Sequence, residues 1–143
     1  MPLPLVAILC PKEFTFNDLT ATVERGVLGG AAEVRTMALD FQDPPPEAAL
    51  AADVLLLWHN VPVGAEVIAR LRNCRALIRN GTGYDSVDLK AAAARGLPVC
   101  NVSDYGTEEV ADHSIALALC RQLFPLDAEA KRLGWKINLE TAA

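Results

Sequence analysis

Ala76-Leu-Ile-Arg-Asn-Gly-Thr-Gly-Tyr-Asp-Ser-Val-Asp88 is the segment from which the rest of the chain can be ordered. Ala76-Leu77-Ile78 is a short apolar run and predicts a buried strand. Asn80-Gly81-Thr82-Gly83 predicts a turn that glycine makes easy. Asp85, Ser86 and Asp88 can each cap a helix, and Leu89 to Ala94 is strong helix-forming sequence. Strand, glycine turn and helix together predict backbone N–H groups at a helix N-terminus, where the helix dipole and unpaired donors stabilise an anion. Two anions compete. Gly81-x-Gly83-x-x-Ser86 is one glycine short of the dinucleotide fingerprint, and it follows the fourth strand rather than the first. The dinucleotide reading is therefore weak, and a small carboxylate is the other anion considered.

Working outward, the same alternation recurs on both sides. Leu5 to Cys10 is a continuous apolar run ending at Pro11, as expected of a strand buried on both faces of a parallel sheet. A helix capped by Asn17 or Asp18 is expected to run to about Val27, with Leu19, Val23 and Val27 on its apolar stripe. Glu33 to Leu39 alternates polar and apolar residues and predicts an edge strand. Glu47 to Ala52 predicts a short helical segment. Asp53 to Trp58 predicts a third strand, apolar throughout and ending at His59-Asn60. Gly64 to Leu71 predicts a helix, and Pro98 to Val102 a fifth strand after the helix that Gly96 closes. Five strand–helix alternations imply an α/β fold: a flavodoxin-like, doubly wound, five-stranded parallel sheet.

The tail differs. A helix is expected from Thr107 to Leu123, with Pro125 ending or kinking it and more helix to Leu133. Ile115-Ala-Leu-Ala-Leu-Cys120 is apolar on every side, whereas a surface helix needs one apolar stripe. The expectation is that a further domain, or a second copy of the chain, covers the Thr107–Leu123 helix. Domains are accordingly expected at 1–104 and 105–143.

Composition narrows the function. The 143 residues are 52% hydrophobic and 22% charged, with a formal net charge of −5, which is the composition of a globular domain. Acidity without a basic cluster argues against nucleic acid. The longest apolar run is too short for a membrane span. Cys10, Cys74, Cys100 and Cys120 are widely spaced, without metal-ligand spacing. With no secretory leader visible, thiols in a cytoplasmic protein are expected.

Ligands of open α/β sheets bind at the carboxyl ends of the strands. Here those ends offer Cys10-Pro11-Lys12, His59-Asn60, the Asn80–Tyr84 turn and Asn101 to Thr107. His59 can serve there as acid, base or hydrogen-bond donor. No nucleophile can be paired with a base and an orienting group. A phospho-receiver would need an acidic pair after the first strand and an Asp ending the third; Cys10-Pro11-Lys12 and His59-Asn60 stand there instead.

Trp58-His59-Asn60, the 76–88 segment, Ala93-Ala-Arg-Gly-Leu-Pro-Val-Cys-Asn-Val102 and Tyr105-Gly-Thr-Glu-Glu-Val-Ala-Asp-His113 together resemble the D-isomer-specific 2-hydroxyacid dehydrogenases, in matching order along essentially the whole chain. The resemblance implies the substrate-binding part of a two-domain oxidoreductase acting on the CH–OH group of D-2-hydroxy acids, with NAD(H) or NADP(H) held by a following Rossmann domain. It implies that Gly81, Thr82 and Gly83 offer main-chain N–H groups to the carboxylate of a small 2-hydroxy or 2-keto acid, that Gly83→Val abolishes binding while Thr82→Ala matters little, and that Tyr105, Gly106 and Thr107 line the cleft near the cofactor. The family's glycine-rich cofactor motif, its catalytic Arg, Glu and His, and the C-terminal helix that returns to complete the substrate domain all lie downstream of the portion matched. No catalytic residue is therefore assigned here, and this chain alone is expected to be a truncated form without activity. The alternative is a non-catalytic interaction or oligomerisation module of the same fold.

Overall fold

A computed structural model describes residues 2–13, 19–40 and 42–134, with the backbone alone for Gln122. Two compact units emerge, 1–103 and 104–143. In the first, the elements are β1 (Leu5–Pro11), α1 (Thr22–Leu28), β2 (Glu33–Leu39), a 3-10 turn (Glu47–Ala51), β3 (Val54–Trp58), α2 (Ala65–Arg70), β4 (Ala76–Asn80), α3 (Leu89–Ala94) and β5 (Val99–Asn101). The sheet is all parallel in the order β2-β1-β3-β4-β5. That is the flavodoxin-like order expected, with the alternating segment 33–39 at an edge.

Strand periodicity sorts the side chains into two layers. Leu55, Leu57 and Leu77 point to one face and are fully buried against Leu50, Val63, Ile68, Leu71 and Leu97. Each such leucine contributes about 1.5–3 kcal/mol by leaving water. Arg95 at the end of α3 donates from its guanidinium to the carbonyls of Ile68 and Leu71, satisfying the last turn of α2.

The other face is less well covered. Val54, Leu56 and Trp58 of the apolar β3 are only partly buried there. Nor does the expected stripe of the first helix enter the core: Leu19, Val23 and Val27 are exposed, and α1 buries no residue of its own. The helix begins only at Thr22, after Ala21 in a left-handed conformation (φ 52°). Val23 and Val27 instead wall an apolar groove of about 560 Å³ floored by Val6, Val54, Leu56, Trp58 and Ile78. The expected caps Asn17 and Asp18 fall outside the described residues.

The second unit is dominated by α4 (Thr107–Arg132). It starts at Thr107 as expected and does not stop at Pro125; the proline lies inside one continuous helix, which loses one intrahelical donor there. Gly106 precedes it without a side-chain cap. Ile115, Leu117, Leu119 and Leu123 are each about 60% exposed. None of the described helices is long and apolar enough to cross a membrane.

Candidate functional site

The parallel register sets the end of β3 beside the end of β4, with Trp58 opposite Asn80. His59 and the Gly81–Gly83 turn therefore leave the sheet side by side. His59 turns the chain with a left-handed backbone (φ 49°), and its ring lies 6.1 Å from that of Trp58. Burial holds its pKa below the ordinary 6.5, and the charge of Arg79 lowers it further. At neutral pH the imidazole is uncharged, with one nitrogen donating and the other accepting.

Arg79, the last residue but one of β4, was not singled out from the sequence. Its signal was there: a lone cation interrupting an otherwise apolar strand near its carboxyl end. Its Nη1 donates to Asn80 O at 2.6 Å, and the guanidinium lies over Gly81 closely enough that a Cβ on Gly81 would overlap it. Arg79 thus adds a positive charge to the same corner as His59 and the glycine turn.

The turn itself differs from the expected helix N-terminus. The α3 helix starts at Leu89, six residues after Gly83, and its cap is Asp88, whose carboxylate accepts from Ala91 N at 2.9 Å. The intervening loop is pinned to the loop after β3, with Val63 N donating to Ser86 O (2.8 Å) and Asp88 N to Val63 O (3.0 Å). The α3 dipole acts at Asp88 and not at the glycines, because dipole effects fade within the first turn. The glycine turn is a bare loop. Gly81 N–H donates to Arg79 O at 2.9 Å; among the described residues, the N–H groups of Thr82 and Gly83 donate to no backbone carbonyl. Both residues are exposed.

The backbone demand falls on one glycine. Gly81 has φ +153°, which L side chains rarely adopt, whereas Gly83 lies outside that region and its added Cβ would meet only a carboxylate oxygen of Asp85 at 3.4 Å. Strain on substitution is therefore expected at Gly81 and not at Gly83.

Tyr105, Gly106 and Thr107 belong to the second unit, at the start of α4. Tyr105 is well exposed, and Thr107 N reaches Asp104 O at 3.5 Å. No cluster of metal-ligating side chains occurs among the described residues, and no disulfide joins the four cysteines.

Comparison with known proteins gives the class to which this arrangement belongs. Residues 18–135 match the model of the D-isomer specific 2-hydroxyacid dehydrogenase catalytic domain, and the chain belongs to that family. It is 34% identical over 138 residues to D-3-phosphoglycerate dehydrogenase of Mycobacterium tuberculosis and 33% identical to that of Mycobacterium leprae, in each case over 95% of this chain. It spans 25% of the length of those relatives. Among solved structures it is similar to the NADPH-dependent glyoxylate/hydroxypyruvate reductase of Sinorhizobium meliloti, determined with citrate (27% identity, TM-score 0.62, 94% of this chain and 40% of that one). D-lactate dehydrogenase from Aquifex aeolicus, complexed with NAD and lactic acid, shares the fold at 17% identity (TM-score 0.66, 95% of this chain and 40% of that one).

Proposed function

We propose that this chain is the substrate-binding part of an NAD(P)-dependent oxidoreductase acting on D-2-hydroxy acids, and that its glycine turn receives the carboxylate of a small 2-hydroxy or 2-keto acid. The observation that carries the reading is the corner at the ends of β3 and β4. Two main-chain donors, Thr82 N–H and Gly83 N–H, stand open beside the Arg79 guanidinium and a neutral His59. Hydrogen bonds to an ionised acceptor are about twice as strong as neutral ones, and a guanidinium adds charge of the right sign. His59 at neutral pH can donate to a carbonyl or hydroxyl oxygen without adding a second full charge.

A nicotinamide cofactor supplies hydride when bound. Tyr105, Gly106 and Thr107 offer one exposed aromatic ring, a glycine and a threonine at a helix start. That set can border a cofactor but does not enclose a dinucleotide, so hydride transfer is assigned to polypeptide beyond this chain, and no step is assigned to residues within it. The open groove beside α1 and the share of the relatives' length that the chain spans support a domain completed by further sequence.

Titration of the isotopically labelled chain with glyoxylate, followed by amide NMR, tests the reading. Saturable shifts at Thr82 and Gly83 are expected, with no NADH oxidation by the chain alone. Absence of shifts at both amides would sink the carboxylate site, and robust NADH-dependent reduction would sink the claim of an inactive part.

A second reading, an interaction module, draws on α4. Its exposed Val110, Ile115, Leu117, Leu119 and Leu123 form the kind of apolar surface that marks an interface. Light scattering separates the two, since a defined oligomer with no glyoxylate response favours the module.

A further inference from the structure

We propose that Asn101 is a positioning residue for the anion-binding turn, acting through the Thr82 carbonyl. The proposal rests on the reading that this turn binds a carboxylate.

The last residue of β5 makes an unusual long-range contact. Asn101 Nδ2 donates to Thr82 O at 2.9 Å, across 19 residues of sequence. One residue further, Val102 N–H donates to Gly81 O at 3.2 Å. A trans peptide is planar, so each carbonyl points opposite to the N–H that follows it, and no cis peptide occurs among the described residues. Holding Gly81 O toward the end of β5 aims the Thr82 N–H away from it. Holding Thr82 O toward Asn101 aims the Gly83 N–H the same way. The two donors offered to the ligand thus share a direction because β5 grips the two preceding carbonyls.

The grips differ in kind. The Val102 bond is main chain and survives any side-chain change. The bond to Thr82 O depends on the Asn101 amide alone. Thr82 stands between two glycines, where the peptide planes rotate with little steric resistance. A tether on the Thr82 carbonyl removes that rotation before the ligand arrives, and a donor fixed in advance binds more tightly than one that must be ordered. Aspartate cannot replace asparagine here. Ionised, it only accepts hydrogen bonds, and it would face a carbonyl oxygen.

The test uses Asn101→Asp and Asn101→Ala in the labelled chain; Asn101 is exposed, so neither change empties the core. In each variant, amide relaxation is expected to show greater mobility at Gly83 with Thr82 little changed. Glyoxylate is expected to bind about fivefold more weakly, the equivalent of one neutral hydrogen bond, with the response falling at Gly83 and persisting at Thr82. Asn101→Ala provides the same readout should the aspartate variant misfold. Unchanged Gly83 mobility together with unchanged glyoxylate affinity would overturn the proposal while leaving the carboxylate site standing. A wild-type chain whose Thr82 and Gly83 amides ignore glyoxylate would overturn the carboxylate reading and the proposal with it.

Discussion

Replacing Gly81 and Gly83 in turn by alanine separates two glycines that look equivalent in the sequence. At Gly81 the backbone sits at φ +153° and an added Cβ would overlap the Arg79 guanidinium. The overlap can be relieved, because Arg79 is a long side chain. The backbone strain cannot, and a non-glycine residue in such a conformation costs about 1–3 kcal/mol. Alanine also narrows the unfolded ensemble, returning about 0.4–1 kcal/mol. A net loss of about 1–2 kcal/mol remains. At about 4–8 °C per kcal/mol for a unit of this size, the melting temperature falls by about 5–15 °C. At Gly83 the new methyl meets only Asp85 Oδ2 at 3.4 Å, with no positive φ, so stability stays within about 0.5 kcal/mol of the original. Urea and thermal denaturation followed by far-ultraviolet circular dichroism measure both. Glyoxylate titration adds a second readout, since moving Arg79 also displaces the positive charge from the corner. Equal costs at the two positions, or a larger cost at Gly83, would refute the assignment of strain to Gly81.

Other expectations concern separate parts of the molecule. Arg95→Met removes the fork that satisfies the Ile68 and Leu71 carbonyls; a loss of about 1.5 kcal/mol in urea denaturation is expected, low for a charged donor because the residue stays solvent-accessible. Lysine at that position should recover little, since a point charge cannot reproduce the planar fork. The His59 ring should titrate below 6.5 by proton NMR, and Arg79→Met should raise its pKa only part of the way, because burial is the larger cause. Since folded His59 binds fewer protons than unfolded His59, it contributes a loss of stability as pH falls from 6.5 through its folded pKa and no pH dependence above that window; a pKa at or above 6.5 would contradict the geometry. Leu117→Lys with Leu119→Lys should reduce self-association in light scattering with helix content retained, whereas loss of fold would place those leucines in a core.

Most of the architecture was legible in the order of residues. Apolar runs of strand length, glycine at helix ends and the alternation in 33–39 are local signals, and the sheet order that follows from five strand–helix repeats matched them. The glycine turn after β4 was legible too, because paired glycines between a strand and a helix mark a tight connection. Helix length was less so. The pattern Leu19–Val23–Val27 has helical spacing, yet spacing says only which residues share a face and not whether anything packs on it; here that face borders a groove.

What required the tertiary structure is everything that depends on neighbours distant in sequence. Parallel register set His59 beside the turn and put Arg79 over Gly81, and no local pattern encodes which strand ends meet. The length of the loop before Leu89 took the α3 dipole away from the glycines, so the proposed carboxylate site rests on bare N–H groups and a guanidinium. The direction of those N–H groups is set from β5, through Asn101 and Val102. A peptide plane has no preferred azimuth of its own between two glycines, so its orientation belongs to whichever distant atom holds its carbonyl.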